Sequence, residues 1–308
     1  MSNTKQRTAS SKKTSQSSPT KGGSAANRKF NERQQAKFRA AADARRHRRN
    51  RMVGFGSIVL ALVVLVVLVV VKVGGGGSVA PADVSPAAGT PIKAAITNKL
   101  AAVPLGTLAA ASTASLTTSP QAMSDAALQA NGKLDLLYVG AEFCPICASE
   151  RWAMYVALSK FGTFSPQPGQ IHSATRDGNI PTLTFYKTTY TSPYLTFTPV
   201  ETTTNQPEGN SYVPLQTPTA TQERLWISHT GGTFPWVDFA GKSELTSAQY
   251  NPADLEGLTF NQIAADVGNN ATAVGTDIDA SAKVLVQTIC SQLSGNQPAS
   301  VCRGMTHA

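Results

Sequence analysis

The residues with the clearest capacity for chemistry are two cysteines three positions apart, Cys144 and Cys147, in the stretch YVGAEFCPICASERW (138–152). Three chemistries use this spacing: a dithiol–disulfide redox pair, half of a zinc site, or a permanent crosslink. Redox work gives the spacing a physical reason. A thiolate attacks a disulfide to form a mixed disulfide, and a second thiol three residues on is close enough to resolve it. The apolar run LDLLYVGAEF (134–143) before the pair reads as a buried strand, and a helix is expected from Pro145 to Phe161. Cys144 then falls at the helix N-cap and Pro145 at the first helical position, where its missing N–H costs nothing. Unpaired backbone N–H groups and the helix dipole favour a thiolate there.

A zinc site needs two more soft ligands. The remaining cysteines, Cys290 and Cys302, do not form a second close pair, and His172 and His229 stand alone in the sequence. A permanent Cys144–Cys147 bridge closes so small a loop that it adds little chain-entropy stabilisation. Redox chemistry is therefore the preferred reading, with no bound cofactor required. Cys290 and Cys302 are expected to form a structural disulfide. Cys290 lies beside the apolar stripe of a last helix, and SQLSGNQPASV loops back to Cys302 near the terminus.

Which chemistry is possible depends on the side of a membrane. The 308-residue chain has a net charge of +9, but residues 1–51 hold 15 basic and 2 acidic side chains, and the rest is mildly acidic. The tail has almost no large apolar residues and is expected to be disordered. Residues 52–73, MVGFGSIVLALVVLVVLVVVKV, form an apolar run whose helix would be roughly 33 Å long, enough to span a bilayer. A cleaved signal peptide is the alternative, but the apolar core and the 51 residues before it are too long for one. Arg45, Arg46, Arg48, Arg49 and Arg51 flank the span, which by the positive-inside rule puts the N-terminus in the cytoplasm and the main domain outside. Proximity to lipid is a simpler reason for the tail's charge than nucleic-acid binding. Residues 74–90, opening with GGGGS, read as a flexible linker. The outer space is where disulfides form and persist.

Residues 91–308 are enough for one extracytoplasmic α/β domain with insertions. Ile92, Ile96, Leu100 and Val103 mark a first helix stopped by Pro104, and SPQAMSDAALQANG reads as a second short helix ending at Asn131-Gly132. TLTFYKTTY and YLTFTPVE alternate as strands do. Residues 201–221 are polar and Pro-rich and read as a long surface insertion. RLWISH reads as a strand or short helix, and GGTFPWVDFAGK as a turn and strand. Helices in NPADLEGLTFNQIAADVG and TDIDASAKVLVQTICSQLSG close the chain.

Strand, Ala-Glu-aromatic, Cys-x-x-Cys and long buried helix together resemble the thioredoxin-like superfamily. That family carries a cis-proline loop against the cysteines. GGTFPWVDFAGK is similar to it, which implies that Pro235 is the cis-proline after Phe234, with Pro181 of NIPTLTFY as the rival. More narrowly, YVGAEFCPICASERWAMYVALSKFG, YTSPYLTF.PVE and GGTFPWVDFAGK resemble the uncharacterised, often membrane-anchored family called domain of unknown function 929, across roughly residues 91–303. Tyr138 stands where the superfamily's buried acid is expected, which leaves Glu142 or Glu150 to substitute unless both are solvated. Arg151 reads as surface and Trp152 as core.

The resulting expectation is a membrane-tethered thiol–disulfide oxidoreductase in which Cys144 is the nucleophile, Cys147 resolves and Pro235 shapes the groove. Its partners are protein disulfide or dithiol clients and a membrane redox partner. The alternative is a non-catalytic binding or scaffold domain with both disulfides permanent. For topology, a C-terminal reporter fusion is expected to be active only outside the cytoplasm; activity confined to the cytoplasm would reverse the orientation.

Overall fold

The apolar run before the cysteines forms Lys133–Gly140, the central strand of the main sheet. It pairs in parallel with Leu195–Glu201, from Leu134 opposite Leu195 to Gly140 opposite Glu201. On its other side it pairs antiparallel with Trp236–Phe239, Trp236 opposite Val139. Ser243–Leu245 pairs antiparallel with that strand, and Gln121–Ala122 lies beyond. The central strand is buried on both faces, which is why its sequence shows no polar alternation after Asp135. Leu136 and Tyr138 face the main core, whereas Leu137 and Val139 belong to a second apolar cluster that contains both cysteines.

These observations come from a computed structural model that describes residues 88–293 and 295–305. The basic tail, the expected span at 52–73 and most of the linker lie outside the described residues. Among those described, no helix is long and apolar enough to cross a membrane. The described part is a mixed α/β structure with several sheets and seven α-helices.

The cysteine helix, Pro145–Leu158, is buried along all fourteen residues, because it packs between the sheet, the strand Pro181–Thr184 and the long helix Ala273–Gln292. Trp152 is core as expected, its indole N–H donating to the Pro181 carbonyl at 3.0 Å. The first helix runs over Ala94–Ala101 and RLWISH lies in the helix Ala220–Thr230.

Other expectations need correction. The helix expected in SPQAMSDAALQANG is absent; the segment supplies two short strands, Gln121–Ala122 and Gln129–Ala130. Asn131 and Gly132 both have positive φ, the conformation of a tight two-residue hairpin, and fold Gln129–Ala130 onto the central strand. The same dipeptide serves as a helix stop in other settings, and strand pairing decides here. TLTFYKTTY contributes two short strands, Pro181–Thr184 and Tyr190–Thr191. NPADLEGLTFNQIAADVG is broken into a 3-10 turn, Pro252–Leu255, and a short helix, Phe260–Asp266, capped anew by Thr259 with Gln262. The 201–221 insertion is an ordered hairpin, Thr203–Glu208 with Ser211–Pro214, leading into the helix Ala220–Thr230.

Cys290 and Cys302 form a disulfide that ties the long helix to the short Ala299–Cys302 helix, with a Cα–Cα distance of 5.5 Å. Both half-cystines and Met305 are buried, so the bridge holds the chain end against the core. Replacing both with serine is expected to lower the unfolding free energy by about 2–3 kcal/mol. Urea denaturation checks this, and an unchanged midpoint would deny the bridge a role in stability.

Candidate active site

The chain leaves the central strand at Gly140 and turns through Ala141, Glu142 and Phe143 into the cysteine helix. Cys144 is its N-cap, with φ −76° and ψ 122°, and the Cys147 backbone N–H donates to Cys144 Sγ at 3.3 Å. Pro145 is at the first helical position. Both thiols are unbridged and buried, Cys144 with 5% of its surface exposed.

The electrostatics behind the thiols come from a residue read as surface. Arg151 is fully buried, because it lies four residues after Cys147 and seven after Cys144, on the same helical stripe, facing the sheet. Its Nε and Nη2 donate to the two carboxylate oxygens of Glu201 at 2.9 and 2.7 Å, and Nη2 also donates to the Ala141 carbonyl at 2.8 Å. Arg151 Nη1 has no hydrogen-bond partner among the described residues. Glu201, the last residue of the strand parallel to the central one, was read as the start of a surface insertion and is also fully buried.

The hydrogen bonds between the two cysteines, with the Arg151 charge behind them, divide the two thiols. Burial opposes ionisation of Cys144, but hydrogen bonds from the Cys147 thiol and N–H, the Arg151 charge and the Ile146 N–H together bring its pKa below the ordinary thiol value. Burial pushes Cys147 well above that value, and its hydrogen bond to Cys144 and the neighbouring Cys144 charge add to the effect. The two thiols thus differ in acidity, Cys144 being the one more readily ionised.

Glu142 and Glu150 are both buried, not solvated. Burial and the Glu201 charge raise Glu142 to about 8, although Thr184 Oγ1 donates to its Oε1 at 2.6 Å. Burial likewise raises Glu150 to about 8 against hydrogen bonds from Gln249. Tyr138 is fully buried, its hydroxyl has no hydrogen-bond partner among the described residues, and burial pushes its pKa well above 10. Its ring takes the space that a side chain at 140 would fill: a Cβ on Gly140 would lie 2.1 Å from the Tyr138 hydroxyl oxygen. Glycine follows two residues after this tyrosine for that reason.

Aromatic rings share one buried apolar cluster with the thiols. Phe143 stacks on Tyr212 of the hairpin at 4.1 Å and meets Phe234 edge-on at 6.3 Å, and Trp226 stacks on Phe234 at 4.9 Å. The Phe234–Pro235 peptide is cis and precedes the strand Trp236–Phe239; the other cis bond among the described residues is Ser165–Pro166, so Pro181 is trans. His229 is not isolated. Its Nε2 is 2.8 Å from Asp125 Oδ2, its Nδ1 is 3.1 Å from Glu244 Oε2, and its ring stacks on Trp236. Burial would lower its pKa, but the two carboxylates outweigh burial and raise it. Among the described residues no group of three or more His, Cys, Asp or Glu side chains is arranged to hold a metal ion.

Residues 120–217 match the family model described as a domain of unknown function, DUF929. That stretch includes the central strand, the cysteine helix, Glu201 and the hairpin with Tyr212. Neither the curated proteins nor the solved structures contain a match to the chain.

Removing Arg151 alone would leave the Glu201 charge buried and unpaired, a loss of about 3–5 kcal/mol. The double variant Arg151→Met with Glu201→Gln removes both charges and is expected to fold. In it, the Cys144 thiol is expected to ionise at a higher pH than in the parent chain, because burial is then opposed by the hydrogen bonds from Cys147 and the Ile146 N–H without the guanidinium. Thiolate absorbance near 240 nm against pH reads this, and an unmoved titration would show that Arg151 does not support the thiolate.

Proposed function

We propose that this chain is a membrane-tethered, extracytoplasmic thiol–disulfide oxidoreductase with a thioredoxin-like catalytic domain. The observation that carries the reading is the Cys144–Cys147 pair at the start of a buried helix, backed by a buried Arg151 that favours one thiolate. Further support for the fold comes from the strand order, with Leu195–Glu201 parallel, Lys133–Gly140 central, then Trp236–Phe239 and Ser243–Leu245 antiparallel. The cysteine helix follows Lys133–Gly140, the first of these strands along the chain, and the long helix Ala273–Gln292 comes after the last, Ser243–Leu245. Phe234 and Trp236, on either side of Pro235, belong to the apolar cluster of the thiols, which supports a role for Pro235 in the substrate groove.

In the reducing direction, the Cys144 thiolate attacks one sulfur of a client disulfide. The client S–S bond breaks, a Cys144–client disulfide forms, and the leaving client thiolate takes up a proton. Cys147 then loses its proton and attacks Cys144 Sγ, which releases the second client thiolate to be protonated. The client gains two electrons and two protons, and the protein ends with a Cys144–Cys147 disulfide. A dithiol client drives the reverse sequence. A membrane electron carrier or quinone-linked partner resets the pair. The domain's mildly acidic surface gives nucleic acid no part in this scheme.

The second reading, a scaffold with a permanent Cys144–Cys147 bridge, draws on the burial of both cysteines. The two separate in one experiment. Cys147→Ser cannot resolve, and is expected to accumulate mixed disulfides with client proteins that dithiothreitol releases; Cys144→Ser is expected to trap none. Absence of trapped species, together with a reduction potential for the wild-type pair well below about −300 mV, would favour the scaffold.

A further inference from the structure

The reactive thiol is chemically prepared and physically covered, and the cover has two unequal halves. Cys144 has only 5% of its surface exposed, so a disulfide in a folded client cannot reach its sulfur in this arrangement. One half of the cover is the wall of Phe234 and Trp226, the latter on the helix Ala220–Thr230. That helix is firmly held. It has a complete capping box from Thr219 and Gln222, Trp226 donates to the Thr233 carbonyl at 2.7 Å, and His229 faces Asp125 and Glu244 with both ring nitrogens.

The other half is the hairpin Thr203–Glu208 and Ser211–Pro214. It is a two-stranded sheet of its own with an irregular register, and its tip, Gln206 to Asn210, is largely exposed. A lone two-stranded hairpin is marginally stable in water and belongs to the low-stability end of a fold. Beyond its base, its ties to the body among the described residues are few. Asn205 Nδ2 donates to the His172 carbonyl at 2.9 Å, and Tyr212 makes the rest. The Tyr212 ring stacks on Phe143, the residue before the nucleophile, with an 8° interplanar angle. Its hydroxyl donates to Asp177 and accepts from Arg176 Nε at 2.7 Å, and the Arg176 guanidinium lies 4.4 Å over its ring. Arg176 is itself 51% exposed, so this latch is fastened from the rim.

We propose that the Thr203–Pro214 hairpin is a gate over Cys144 and that Tyr212 is its latch, so that the thiol pair reacts with partners able to displace this ring from Phe143. The proposal rests on the exchange chemistry proposed above for the role of the gate, but the gate itself is read without that chemistry. A partner that presents an aromatic or apolar side chain beside its disulfide replaces the Tyr212 stack on Phe143, whereas a polar small-molecule disulfide does not. Tyr212 is therefore a specificity-determining residue.

The test is the alkylation rate of Cys144 by iodoacetamide in the full-length Cys147→Ser chain, where Cys290 and Cys302 are bridged. Adding Tyr212→Ala is expected to raise the rate roughly ten-fold or more, since covered sites react through local opening. The Arg176→Ala, Asp177→Asn pair loosens the latch from the surface and is expected to give a smaller rise in the same direction, at an unchanged melting temperature. It serves as the deciding variant should Tyr212→Ala lower the melting temperature. Rates equal to the parent in the folded variants overturn the gate, even if mixed disulfides form. Faster alkylation with no mixed disulfide in any variant leaves the gate standing and removes the oxidoreductase reading.

Discussion

A guanidinium without exposed surface must be met by an anion, and the contact between Arg151 and Glu201 is the constraint around which the site is built. The two come from different elements, the cysteine helix and the strand parallel to the central one, and meet through a two-point hydrogen-bonded ion pair. The third donation, from Arg151 to the Ala141 carbonyl, reaches the turn that carries the cysteines. One side chain thus holds the helix, the parallel strand and the turn in a common register. Strand pairing brings Glu201 opposite Gly140, and Gly140 lacks a side chain so that Tyr138 can lie beneath the same turn.

Arg151, the one buried cation among the described residues, also weighs with burial in which groups keep their protons. Cys144, Cys147, Tyr138, Glu142 and Glu201 are all buried around it, and each anion formed there is costly without a positive partner. Glu201 is in direct contact with Arg151, and Cys144 gains from the remaining field together with N–H groups of the helix start. Glu142, raised to about 8, is mostly protonated at neutral pH, and Tyr138 and Cys147 are protonated well beyond it. Tyr138, a neutral group beneath the turn, fits this balance. A further carboxylate at that position would compete with Cys144 for the same guanidinium, whereas a neutral phenol does not. The carboxyl closest in sequence to Cys144, Glu142, is held toward its neutral form by burial and the Glu201 charge.

Local patterns were legible to the degree that they are local. The strand expected at 134–143, found over Lys133–Gly140, the helix beginning at Pro145, the N-cap position of Cys144 and the Cys290–Cys302 bridge all follow from spacing and from neighbours within one turn or one loop. The role of Arg151 was hidden because an arginine in a helix is ordinarily solvated. The signal was present in its spacing of +4 and +7 from the cysteines, on a helix whose other faces are apolar, where a charged residue has no route to water. Glu201 carries no such signal, since its burial depends on pairing across more than sixty residues of sequence. The same limit accounts for SPQAMSDAALQANG. Its caps and alanines suit a helix, and only the edges offered by Ser243–Leu245 and the central strand turn its ends into strands. Polarity hid the 201–221 hairpin: its tip is polar, but Tyr212 and Thr203 are buried against the body.

Poise and access are joined through the backbone. Glu201 ends the strand that holds Arg151, and two residues later the chain enters the hairpin that lies over Phe143. The hairpin's base is pinned at the same point. Thr202 N–H donates to the Gly140 carbonyl, Glu142 N–H donates to the Thr203 carbonyl, and Gln216 Oε1 accepts from the Glu201 N–H. Motion of the tip and of Tyr212 can therefore occur about a base that stays fixed by the counter-ion of Arg151. Displacing the ring admits water as well as a partner, and water weakens every interaction that lowers or raises a buried thiol. The two thiols are consequently most sharply distinguished while the hairpin is closed, and they draw together in acidity as it opens. An apolar side chain in the place of Tyr212 on Phe143 would keep the site dry and so preserve that distinction.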